Sequence, residues 1–198
     1  ALFSTMNPIG NLGVFVGMTA ERQKHEARRI AWSCAAAVAV TLLIVAWFGT
    51  TLLKLFGVSV DALRAAGGVI VLLIGLQMLG NKSGHQHSTA ELEDAASRSS
   101  IAVVPLAIPI VAGPGTMAAV LVAAQHHPSI LSRTEISAVV ILLAAFCGLL
   151  FSFAKPISQR LGASGMGVVT RVMGMLLAAI AIGMLAEGLR GLLPGLAS

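Results

Sequence analysis

Two short clusters combine residue types that start a helix and leave its first backbone amides free. One is Asn7, Pro8, Gly10 and Asn11; about 106 residues later stand Gly113, Pro114, Gly115 and Thr116. Proline lacks an amide hydrogen and clashes with the preceding turn, yet it suits the first position of a helix. Asn7 is therefore a candidate N-cap for a helix starting at Pro8, and Gly113 for one starting at Pro114. Free amides at such a start, with the positive end of the helix dipole, hold anions, so a substrate carboxylate is the expected ligand. The neighbouring side chains are small or polar (Ser4, Thr5, Gly10, Asn11, Ala112, Gly115, Thr116). They predict a small pocket with hydrogen-bonding groups and no carboxylate of its own. Small residues also let helices pack closely, with the prolines acting only as kinks, and that reading stays open.

The elements that must position these clusters are membrane spans. The chain has 198 residues, 57% hydrophobic and 11% charged, with a mean hydropathy of +0.90. Ordinary globular domains carry about a quarter charged residues. Apolar runs long enough to cross a ~30 Å hydrocarbon core recur along the chain, and they are solid rather than alternating. The expected fold is an all-α polytopic membrane protein with six transmembrane helices, near residues 1–18, 30–48, 62–79, 101–124, 136–153 and 165–185. The clusters interrupt the first and fourth of these, and span four also carries Pro105 and Pro109. Irregular backbone at membrane depth is tolerated only where protein or a water-filled cavity satisfies it.

Residues 81–100 form the long hydrophilic stretch, which divides the chain into a first three-span unit (1–80) and a second (101–198). The connections after spans one, three and five hold eight lysines and arginines: Arg22, Lys24, Arg28, Arg29, Lys82, Arg98, Lys155 and Arg160. The opposite side holds Lys54, Arg133 and Arg190. The positive-inside rule then places the first set in the cytoplasm and both termini outside, with Trp32 and Trp47 anchoring the ends of span two. An odd number of spans per unit makes the second unit enter from the opposite side, so homologous units form an inverted repeat. Arg64-Ala65-Ala66-Gly67 and Arg171-Val172-Met173-Gly174 repeat the correspondence. Arg64, Gly67 and Arg171 are accordingly supporting candidates: an arginine within a span is costly and turns toward protein, water or headgroups. Asp61, three residues before Arg64, is a candidate ion-pair partner on the same helix face.

Other chemistries find little footing. The net charge of +5 sits in connections rather than on a basic face, which argues against nucleic acid. Cys34 and Cys147 fall in apolar runs and suggest no disulfide framework. His85, His87, His126 and His127 lack marked co-ligands, so no metal or cofactor is expected. No nucleophile–base arrangement points to an enzyme. No signal-peptide pattern is visible, and the short first apolar stretch predicts residues upstream of Ala1.

The chain resembles the MarC family, also called the small neutral amino acid transporter (SnatA-type) family. The likeness covers essentially the whole length. It rests on Asn7-Pro8-Ile9-Gly10 with Met18-Thr19, and on Phe56-Gly57-Val58-Ser59 leading to Arg64-Ala65-Ala66-Gly67-Gly68. It rests further on Pro105-Leu106-Ala107 through Gly113-Pro114-Gly115-Thr116, and on Arg171 with Gly174. Members usually have several more residues before the first motif. The resemblance implies a six-span protein of the bacterial cytoplasmic membrane, related to lysine-exporter-type proteins, that moves small neutral amino acids such as glycine or alanine. The expected partners are that solute and membrane lipids, with a homo-oligomer left open. Two other functions remain: a non-transporting scaffold or accessory protein, and a channel or transporter for another small solute.

Overall fold

The computed structural model describes residues 2–20, 22–80, 111–126, 129–193 and 195. Pro105, Pro109, His85, His87, His127 and the linker 81–100 lie outside them. Seven helices carry the described chain: α1 (Leu2–Met6), α2 (Leu12–Met18), α3 (Lys24–Leu55), α4 (Val60–Leu79), α5 (Pro114–His126), α6 (Ile130–Ser152) and α7 (Ala154–Leu192). Among the described residues, α3, α4, α6 and α7 are long and apolar enough to cross a membrane. The first and fourth expected spans fall on α1–α2 and α5, which are short because the two clusters interrupt them.

Local chemistry sets the ends of the long helices. A reciprocal capping box joins Gln23 and Glu26 at the start of α3. At its other end the Val58 and Gly57 amides donate to the Leu53 and Lys54 carbonyls, with Gly57 at φ +65°. That pattern is a Schellman stop. Ser59 and Ser129 accept from the Ala62 and Ser132 amides and so start α4 and α6. The sixth expected span, 165–185, lies in the second of two helical stretches within α7, which are separated at Gly162. The helical stretch before position 162 breaks at Gly162, which takes φ +66° and ψ 178°.

The long helices pair in opposite directions. Trp47 of α3 lies beside Arg133 and Ser137 at the start of α6, through an indole-to-hydroxyl bond of 3.1 Å and a guanidinium-to-carbonyl bond of 2.9 Å. Near the other end of the pair, a Cβ at Gly148 would meet Ala35 at 2.9 Å. In the second pair, Ala65, Gly68 and Gly75 of α4 run past Gly188, Ala181 and Gly174 of α7. Lipid is as apolar as leucine, so helices associate here through close backbone approach rather than hydrophobic burial. The outward faces stay apolar, with Phe48 66% and Leu142 71% exposed.

The larger buried cluster lies where α1, α2 and α5 meet α3 and α6, and includes Met6, Phe15, Val38, Val111, Ala112, Val120 and Phe151. Phe15 stacks on Phe151 with ring centroids 4.9 Å apart. Lys155 donates to the Ala20 and Arg22 carbonyls at 3.3 and 2.6 Å, which places the α2–α3 connection and the α6–α7 junction on one side.

Candidate functional site

The two breaks occupy the interior. Among the described residues, the buried polar side chains are Thr5, Asn7, Asn11, Thr19 and Thr116. All five belong to the first interrupted segment, to the turn directly after it, or to the start of α5. Burying polar groups costs free energy unless each finds a partner; here the local backbone supplies the partners, except that the Asn7 side-chain amide also donates to the Met78 sulfur of α4 at 3.6 Å.

At the first break, α1 ends at Met6 and Asn7 takes φ +46°, the single described non-glycine residue at positive φ. Its Oδ1 accepts the Gly10 amide at 3.2 Å, but residues 8–11 form a turn rather than helix, so Asn7 closes that turn and does not cap a helix starting at Pro8. The Asn11 amide donates to the Asn7 carbonyl at 3.1 Å, and regular helix resumes at Leu12. Pro8 and Gly10 are buried within this turn. The Asn11 side chain reaches back five residues and donates to the Met6 carbonyl at 3.0 Å. That carbonyl belongs to the last residue of α1, where intrahelical donors run out.

The second break repeats the device. The Met117 amide donates to the Gly113 carbonyl at 2.9 Å, so Gly113 caps a helix whose first residue is Pro114. The Thr116 hydroxyl reaches back five residues and donates to the Val111 carbonyl at 3.1 Å. An amide and a hydroxyl thus perform one task at corresponding places, a likeness the sequence does not display.

Helix packing gathers the expected residues unevenly. Met6, at the end of α1, shares the buried cluster with Val111 and Ala112, which lead into α5. Gly67 meets the first turn of α5: a Cβ there would stand 3.2 Å from Ala118 Cβ and 3.4 Å from the Pro114 carbonyl. Gly115 faces Val71 of the same helix so tightly that a Cβ would collide with the Val71 side chain. Arg64, one turn before Gly67, pairs across to Glu187 of α7 at 3.2 Å rather than with Asp61. Asp61 instead lies against Gly191. Arg171, expected to lie deep, is exposed on α7.

Sequence reasoning missed Met78, Val71 and Glu187. The first two sit unmarked in an apolar run, and only helix packing brings them to the breaks. Glu187 carries a readable signal, a lone acid near the end of the last apolar run, but its partner does not. Among the described residues no group of three or more His, Cys, Asp or Glu is placed to hold a metal ion.

Comparison with known proteins places this geometry. Residues 1–193 match the family described as MarC family integral membrane protein. The chain is 36% identical over 196 residues to UPF0056 membrane protein YhcE of Escherichia coli (strain K12), covering 98% of this chain and 91% of that one. It is 36% identical to UPF0056 membrane protein YvbG of Bacillus subtilis (strain 168), covering 100% and 95%. An archaeal UPF0056 membrane protein from Methanocaldococcus jannaschii is 35% identical, covering 98% and 94%. No solved structure matches the chain. With apolar helices paired through small residues and a likeness that runs nearly end to end, this chain belongs to the MarC (UPF0056) family of integral membrane proteins.

Proposed function

We propose that the protein is a secondary transporter that moves a small neutral amino acid, such as glycine or alanine, by alternating access. The observation that carries this reading is the pair of matched breaks. Each interrupts an apolar segment in the interior, and each ties a carbonyl left free before the break with a side chain five residues later. Interrupted helices at corresponding places in two halves are where transporters bind solute.

The same correspondence supports six spans in two inverted three-span repeats. On that reading α3 and α6 are equivalent spans, as are α4 and α7, and equivalent spans in an inverted repeat pack in opposite directions. The directions of both pairs support it. The Lys155 bonds to the Ala20 and Arg22 carbonyls support a common side for the first and fifth connections. By the positive-inside rule that side is the cytoplasm of a bacterial inner membrane, with both termini outside.

The Thr116 hydroxyl and one Asn11 amide hydrogen are committed to backbone carbonyls, and α2, at seven residues, is too short to offer much of a dipole. The solute carboxylate is assigned to the first-turn amides of α5 and to the Asn7 side chain, with the second Asn11 amide hydrogen beside them. Gly10, Gly67 and Gly115 keep the space small, which limits the solute side chain. The test is uptake of labelled glycine and alanine into proteoliposomes. Saturable flux, competed by other small neutral amino acids, is the expected result; its absence with folded, full-length protein would overturn the reading.

Gly115→Ala should lower that flux at least tenfold. Its Cβ would push Val71 aside, and since valine has few rotamers the displacement reaches α4. The double variant Gly115→Ala/Val71→Ala should recover most of the folding loss, since the methyl takes the space that the Val71 side chain gives up, and its flux is read beside that recovery. Recovery of both together would make Gly115 a packing residue only.

A second reading has one observation in its favour. Among the described residues no buried side-chain nitrogen or oxygen lacks a partner, so the breaks are satisfied from within. A membrane scaffold built on small-residue packing shares that property, and the flux assay separates the two.

A further inference from the structure

Three observations converge on Asn7. Its backbone is held at φ +46°, in the left-handed region that asparagine tolerates better than other non-glycine residues. Its side chain is 3% exposed. Its Oδ1 is committed to the Gly10 amide, while its Nδ2, with two hydrogens to place, donates to the thioether of Met78 at 3.6 Å. Sulfur is a weak acceptor, so a buried amide has been given a poor partner where oxygen would bind better. A buried amide whose donor is so loosely used marks a contact made to be exchanged.

Met78 is suited to that exchange. It is unbranched and polarizable, so its sulfur can move without dragging the backbone. Its base is fixed: a Cβ at Gly174 would meet the Met78 Cβ at 2.8 Å, so α7 holds the start of this side chain. The α4 helix packs chiefly on α7 and α5, and the Asn7–Met78 bond ties it to the first break across 71 residues of sequence.

We propose that the Met78 sulfur is an intramolecular stand-in for a solute oxygen, and that an incoming carboxylate takes the Asn7 amide from it. This rests on the transporter reading and deepens it in two ways. It assigns Asn7 as a carboxylate donor and Met78 as a residue that sets affinity by competing for that donor. It also couples the site to the helices: once the amide turns to solute, the polar link between the first break and α4 is gone, and α4 is free to shift with α7.

The test compares flux and the thermal shift caused by glycine or alanine in wild type, Met78→Leu and Met78→Gln. Leucine keeps the volume and removes the acceptor, so KM should fall, by roughly threefold for one weak hydrogen bond. Glutamine offers an oxygen at similar reach, so KM should rise by roughly three- to tenfold. Thermal stability without solute should move oppositely, lower for leucine and higher for glutamine. Asn7→Leu should abolish the glycine-induced thermal shift. If wild type carries flux and both Met78 variants match its KM, the stand-in is refuted and the transporter reading survives. If wild type carries no flux and shows no thermal shift, the transporter reading falls and takes this inference with it.

Discussion

Replacing Gly188 with leucine is expected to cost about 3 kcal/mol or more and to be among the most damaging single substitutions outside the breaks. Gly188 is buried where α7 crosses the first turns of α4. A Cβ there would lie 2.6 Å from the Ala65 amide nitrogen and 2.8 Å from the Asp61 carbonyl oxygen. Those are backbone atoms, so no side-chain rotation relieves the clash and the helices must separate. Separation then propagates, because Cβ atoms at Gly68 and Gly75 would lie almost as close to the α7 backbone, at 2.8 and 2.9 Å. Lipid gives little hydrophobic force to pull such a pair together again. Gly183→Ala is the control: the glycine lies in the same helix with nothing within 4 Å of its would-be Cβ. It should be neutral or stabilise by up to about 1 kcal/mol, the helix-propensity difference between glycine and alanine. Thermal unfolding of both variants in one detergent checks the contrast, and equal losses would refute the seam as the determinant.

Thr116→Val is expected to cost about 1–3 kcal/mol although it conserves shape. The loss is one hydroxyl, whose hydrogen now reaches the Val111 carbonyl at 3.1 Å. Without it a buried acceptor stands unpaired, and the penalty for an orphaned polar group exceeds the net value of the bond that satisfied it. Asn11→Leu should behave alike, since it strips the donor from the Met6 carbonyl. Thr116→Ser retains the hydroxyl and should lose about 1 kcal/mol, the cost of one buried methyl. The order valine worse than serine, read from thermal unfolding in detergent, is the informative result. The reverse order would mean that the methyl, not the hydrogen bond, holds the second break.

Asn7-Pro8 and Gly113-Pro114 were legible in the sequence because proline and its preceding residue act locally. A missing amide and a fixed φ end one helix whatever surrounds them, but the restart is less local: α5 begins at Pro114, whereas after Asn7 helix resumes only at Leu12. The long helices were legible for a related reason, since hydropathy is a property of composition over a window. Their boundaries were less so. The span expected at 165–185 follows the break at Gly162, but the short helical stretch from Ala154 before that break was not anticipated, because its polar residues read as a connection.

Partnerships belong to tertiary structure. Arg64 and Asp61 lie on one helix face, yet the arginine pairs with Glu187, because α7 brings an acid past the start of α4. The same sliding contact brings Gly174 to Met78, and folding of the first break brings Met78 to Asn7. By itself, then, the sequence determined that this chain is an all-helical membrane protein with two places where helices must break. Only the tertiary structure decided what those breaks are made to face. A break follows from the torsions of one or two residues, while a contact requires two distant helices to agree on register, and register is set by which glycines let the backbones meet.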